Sequence, residues 1–197
     1  MSAVIQDNTK ALGATTALAH GDDGRTIAFG PGGPVSLGIF QQQVRALAAA
    51  LPSGRHAINL CEDRYRFLVA FCAVALRGQV TLLPPSRAPA VIDDELRRHA
   101  DSYCLGDDAL QPEPPRYLRL PEPLPLQDGA ALRLDDDALA AIGFTSGSTG
   151  TPLPNPKTWR SFRASTTQNL AALQDLWPAA ATAQLVATVP PQHMYGM

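Results

Sequence analysis

The chain has 197 residues, 45% hydrophobic and 17% charged, enough for one sizeable core. A net charge of −2 and a pI near 6.0 supply no footprint for a nucleic-acid backbone, and no Lys/Arg cluster interleaves with aromatics. The longest apolar run, Phe67 to Leu76, is too short to span a bilayer. The N-terminus lacks the basic and apolar regions of a signal peptide, so the sequence reads as a soluble cytoplasmic protein with no membrane span.

Residues 1–24 are polar and small and read as a lead-in, with a turn at Gly21-Asp22-Asp23-Gly24 before a short strand at Thr26 to Phe29. Gly30-Pro31-Gly32-Gly33-Pro34 breaks the chain. Ser36 is placed to cap a helix in which Leu37, Phe40, Val44, Leu47 and Leu51 make one apolar face, ended by Pro52-Ser53-Gly54. Ala57 to Cys61 reads as a strand, Asp63 as the cap of a helix from Arg64 to Leu76, and Gly78 as its terminator. Strand Gln79 to Leu83, helix Pro89 to His99 and strand Tyr103 to Leu105 continue the alternation. Alternating short apolar strands and helices predict a doubly wound α/β architecture: a mainly parallel sheet with helices on both faces.

Six prolines between residues 110 and 125 surround one strand-like stretch, Tyr117 to Leu120, and predict an extended connection at the surface or a sheet edge. Asp135-Asp136-Asp137 reads as turn chemistry rather than a magnesium site. Leu139 to Ile142 then forms a buried strand running into Phe144-Thr145-Ser146-Gly147-Ser148-Thr149-Gly150-Thr151-Pro152. Glycines let backbone approach a ligand closely, and successive N–H groups with Ser/Thr hydroxyls can ring a polyanion, so a phosphate chain is the expected cargo. No Gly-Lys-Ser/Thr follows, which rules out a Walker loop. A helix from Trp159 to Trp177 and a strand from Leu185 to Val189 close the pattern before Pro190-Pro191-Gln192-His193. Cys61, Cys72 and Cys104 are odd in number and lie in apolar surroundings, so they read as reduced core thiols.

Thr-Ser-Gly-Ser-Thr-Gly-x-Pro after an apolar strand resembles the phosphate-binding signature of the adenylate-forming superfamily: acyl-CoA synthetases, aryl-CoA ligases and adenylation domains. The order of elements from residue 25 to 197, including Ala75-Leu76-Arg77-Gly78-Gln79-Val80, is similar to the N-terminal portion of that family. The resemblance implies ATP and Mg2+ as cofactors, the magnesium ligands lying downstream, and a carboxylic acid as substrate. It also implies CoA or an acyl carrier protein as acceptor of the acyl group from an acyl-adenylate. Thr145, Ser146, Gly147, Ser148, Thr149 and Gly150 would bind the β- and γ-phosphates, with Thr149 also acting in catalysis. The loop region extends over 144–157.

Leu153 stands where the family has a lysine directly after the motif's proline, and the nearest ammonium, Lys157, comes four residues later. The prolines at 152, 154 and 156 are expected to fold the chain back and return Lys157 to the phosphates as a catalytic cation. His193 would bind substrate near the acyl pocket. The Thr-Pro-x-Pro-x-x-Lys-x-Trp stretch is similar to AMP-ligases of aryl-polyene and xanthomonadin-type pigment pathways, implying an aromatic acid. The family's later motifs do not occur in these residues, so the segment alone is expected to be inactive. The alternative is a non-catalytic nucleotide- or anion-binding α/β module, or a degenerate ligase remnant.

Overall fold

The computed structural model describes residues 14–30, 32–145, 153–177, 186 and 188–190. Its frame is a six-stranded sheet. The strands are β4 (His56–Asn59), β5 (Val80–Leu83), β6 (Ser102–Gly106), β7 (Tyr117–Arg119), β9 (Leu139–Thr145) and β10 (Leu153–Thr158), in the spatial order β10-β9-β5-β4-β6-β7. Every pair is parallel except β9 with β10. Two short antiparallel pairs lie outside it: β2 (Thr26–Gly30) with β3 (Gly33–Ser36), and β1 (Thr15–Ala17) with β8 (Arg133–Asp135). Part of the stretch read as a lead-in is therefore paired with residues more than a hundred positions away.

Side chains alternate across a strand, and the central strands use that alternation to feed two cores. Ala57, Leu83, Tyr103, Leu105 and Ala141 face the core built with α1 (Leu37–Ala50) and α2 (Arg64–Leu76). Ile58, Leu82, Cys104, Ile142 and Phe144 face the other, where α3 (Pro89–Arg98) contributes Ile92 and Leu96. Both sheet faces are covered, which accounts for the near-continuous apolar runs of these strands.

The helix boundaries follow local chemistry. Ser36 accepts a hydrogen bond from Ile39 N (3.3 Å) and Asp63 from Arg66 N (2.8 Å), so both expected caps are in place. Gly78 takes φ +67° just after α2, a left-handed turn that suits glycine. Helix α2 is wedged between sheet and α1 and buries Phe67, Val69, Ala70, Phe71, Cys72, Ala73 and Val74, which is why it carries no polar stripe. The long α4 (Trp159–Leu176) is its opposite: no residue of it is buried, and only Trp159 and Phe162 pack against the first core.

Candidate functional site

The hydroxyl- and glycine-rich segment is flanked by two paired antiparallel strands. Strand β9 lies beside β5, with Thr81 opposite Ala141 and Leu83 opposite Gly143. Strand β10 returns antiparallel along β9, pairing Leu153 with Thr145, Asn155 with Gly143 and Lys157 with Ala141. The chain leaves β9 at Thr145 and enters β10 at Leu153, at the carboxyl edge of the parallel strands, where ligands of open α/β sheets bind. Thr145 is the last described residue of β9; Ser146, Gly147, Ser148, Thr149 and Gly150 lie outside the described residues, as does His193.

The fold-back expected of the prolines is not found. Pro154 and Pro156 are residues of β10 itself, an edge strand, where a missing N–H costs no ladder bond on the solvent side. Fixed proline φ, together with the restriction on each preceding residue, keeps the stretch extended rather than turned. Four extended residues separate Leu153 from Lys157, about 13 Å along the strand. Lys157 is half-buried on the same sheet face as Ala141, its partner in the ladder.

The base of the hairpin is clamped. Thr158 caps α4 by accepting from Ser161 N (3.2 Å), and Trp159 N and Arg160 N donate to the carbonyls of Ala138 (3.1 Å) and Asp136 (2.8 Å). Arg160 makes a forked pair with Asp137 (2.9 and 3.1 Å), and these hydrogen bonds hold the Asp137 carboxyl below its usual range. Arg163 Nη1 donates to both oxygens of the buried Asp136 (3.0 and 2.9 Å) and to Thr16 Oγ1 (2.8 Å). The indole of Trp159 and the ring of Phe162 rest on Phe71 of α2, at centroid distances of 6.3 and 5.7 Å. The aspartates at 136 and 137 are thus committed to arginines, and they do not fit a magnesium ion. Among the described residues no group of three His, Cys, Asp or Glu side chains is placed to hold a metal, and no helix is long and apolar enough to cross a membrane.

A second feature of the same sheet edge was missed by sequence reasoning. Asp107, just after β6, accepts from Glu62 N (2.9 and 3.0 Å) and Asp63 N (2.8 Å) at the start of α2. Strands β4 and β6 flank the point where the winding of the sheet reverses, and the helix N-terminus there would suit an anion. The chain's own carboxylate takes that place. Arg87, following β5, donates to Glu62 Oε1 (2.7 Å) and to the Leu60 carbonyl. The signal available in the sequence was Gly106-Asp107-Asp108 directly after an apolar strand.

No protein-family profile matches the chain, and neither does any curated protein sequence. Solved structures do match. ATP-bound MatB from Rhodopseudomonas palustris superposes with a TM-score of 0.70 at 18% identity, over 90% of this chain and 40% of that one. O-succinylbenzoate coenzyme A synthetase (MenE) from Bacillus subtilis, in complex with AMP, gives 0.61 at 19% identity, over 83% and 45%. The N-terminal subdomain of Klebsiella oxytoca NpsA, in complex with 3-hydroxybenzoyl-AMSN, gives 0.52 at 23% identity, over 64% and 35%. The chain spans less than half the length of each. Its six-stranded, mostly parallel sheet with helices on both faces is the fold of the N-terminal subdomain of adenylate-forming ligases.

Proposed function

We propose that this chain is the nucleotide-handling N-terminal part of an AMP-forming acid–thiol ligase. The observation that carries the reading is the hairpin: strands β9 and β10 close a Ser/Thr/Gly loop at the carboxyl edge of a parallel sheet whose other anion position is filled by Asp107. In this reading a substrate carboxylate oxygen attacks the α-phosphorus of ATP. A carbon-linked O–P bond forms, the α–β phosphoanhydride bond breaks, and pyrophosphate leaves. A thiolate of CoA or a carrier protein then attacks the acyl carbon and releases AMP. Thr145, Ser146, Gly147, Ser148, Thr149 and Gly150 hold the β- and γ-phosphates with preorganised donors, Thr149 acts on the leaving charge, and Lys157, set back along β10, adds only a distant positive charge. His193 meets the carboxylic acid, for which the pigment-pathway resemblance favours an aromatic one. Magnesium, with ligands expected downstream of this segment, would supply positive charge to offset that of the phosphates. The site operates in the cytoplasm, where ATP is abundant.

Turnover belongs to the whole protein, and the 197 residues by themselves bind nucleotide without reacting. The test has two parts: titration of this chain with ATP, and acid-dependent pyrophosphate exchange by the complete gene product. ATP binding abolished by Gly147→Val, together with exchange that needs an aromatic acid, is the expected result. Absence of both overturns the proposal. One observation favours a second reading, a non-catalytic nucleotide- or anion-binding module. With Leu153 exposed beside the loop and Lys157 at the level of Ala141, no described lysine stands next to the loop. Binding of ATP without any exchange in the complete product would select that module.

A further inference from the structure

Helix α4 carries an apolar stripe of which only the first turn is used. Trp159 and Phe162 rest on Phe71 of α2 and join the first core. Further along, Leu170, Leu173 and Leu176, with Trp177 at the C-cap, are between 47% and 85% exposed. At 3.6 residues per turn, Phe162, Leu170, Leu173 and Leu176 fall within an arc of about 120°, so the exposed leucines continue the face that packs at the helix start. The stripe runs about 20 Å from Phe162 to Leu176. The opposite side carries Arg160, Thr167, Gln168, Ala171 and Asp175. A single exposed leucine is ordinary, but apolar residues on one face of successive turns mark a surface that something covers. A helix of this length also draws its stability from packing of its apolar face, which Ser165, Thr166 and Thr167 in its middle do not replace by propensity.

We propose that this stripe is the docking face for ligase polypeptide outside these 197 residues, whose apolar surface covers Leu170, Leu173, Leu176 and Trp177 as Phe71 covers Trp159 and Phe162. The assignment rests on the reading of the chain as the N-terminal part of a ligase. Two observations favour this occupant. The stripe is continuous with an existing core contact, so a surface laid on it extends the first core rather than founding a new one. The matched part of MatB is 40% of that chain and the matched part of MenE 45%, so in both this fold is built into a body more than twice as large. Charge argues against a lipid surface. An interfacial helix lines its polar side with cations, whereas α4 has no lysine and its two arginines are held by Asp137 and Asp136. The covering surface is expected to be uncharged, because the arc from Phe162 to Leu176 offers no charge to pair. Thr166 and Asn169, the polar residues within it, would hydrogen-bond across the contact and fix its register.

The test is carbene footprinting with mass-spectrometric readout, on the 197-residue chain and on the complete gene product. The chain alone should label at Leu170, Leu173, Leu176 and Trp177. In the complete product, labelling there should fall to the level of the buried Phe67 and Val69 on α2. Urea unfolding gives a second readout. Leu173→Ala combined with Leu176→Ala should leave the midpoint of the 197-residue chain unchanged and lower that of the complete product, because only there are the leucines buried. Equal labelling of these residues in both proteins overturns the proposal, and so does a double variant without effect on the complete product. A gene product of 20.9 kDa overturns it too: as a monomer it leaves the face bare, and as a dimer that protects the face it makes the occupant a second copy. Acid-dependent pyrophosphate exchange is scored separately. Exchange with a fully labelled face removes only the docking, whereas protection without exchange removes only the ligase chemistry.

Discussion

Lys157 stands opposite Ala141 in the β9–β10 ladder, so the cation that follows the loop in sequence is carried away from it in space. An ammonium leaning back along the strand would lie roughly 10 Å from the loop, given about 13 Å of extended chain to Leu153. Two unit charges at that separation interact by about 0.4–1.7 kcal/mol for effective dielectric constants between 80 and 20. Lys157→Ala should therefore weaken ATP binding by about 2- to 15-fold per phosphate charge felt, and the effect should fade in high salt. Isothermal titration at two ionic strengths checks this. A loss beyond a hundredfold would mean that Lys157 reaches the phosphates directly; no loss would remove it from the site.

Asp136 and Arg163 clamp the hairpin base, and the pair is asymmetric. The aspartate side chain is 8% exposed and the arginine 46%. Arg163→Ala strands a buried carboxylate, whereas Asp136→Asn leaves a guanidinium that water can reach. The first should cost about 3 kcal/mol and the second about 1 kcal/mol in urea unfolding. Equal costs would mean that the clamp is held by its backbone bonds rather than by the charges.

All three thiols are buried, and burial pushes the Cys72 and Cys104 thiols up to about 12 and Cys61 up as well, with Asp107 adding to the effect at Cys61. The thiolate is the reactive form. The native chain should react with no equivalents of a disulfide reagent at pH 8, and with all three cysteines in denaturant. Fast reaction of one thiol in the native state would show that its part of the core opens.

Burial raises the Glu95 carboxyl above its ordinary value of 4.5. The unfolded chain releases this proton near pH 4.5, while the folded chain retains it to higher pH. Above pH 4.5 the unfolded state therefore binds fewer protons, and this residue's contribution to stability falls as pH rises through the folded value. Glu95→Gln removes that loss. The variant should equal the wild type near pH 4 and exceed it in stability at pH 7.5 in chemical denaturation. A variant less stable at pH 7.5 than at pH 4, relative to wild type, would reverse the sign argued for burial.

What could be read from residue order alone was whatever depends on neighbours a few positions apart. Ser36 and Asp63 cap their helices through bonds that span three residues, and Leu37, Phe40, Val44 and Leu47 form their apolar face by helical period. The parallel sheet followed from alternating apolar strands and helices, and the loop motif was legible as a string whose flanks the structure places at the sheet's carboxyl edge. Four strands escaped because their cause is distant. Thr15–Ala17 pairs with Arg133–Asp135, Gly33–Ser36 lies in a stretch that looks like a break, and Leu153–Thr158 contains two prolines that suggest a turn. Only in the folded sheet is β10 an edge, and only at an edge can prolines replace ladder donors without loss, so the direction of Lys157 was decided there. The same holds for Asp107 and Asp136. Their sequence neighbours mark them as ordinary carboxylates, while the partners that define them, the α2 N-terminus and Arg163, are assembled by tertiary packing.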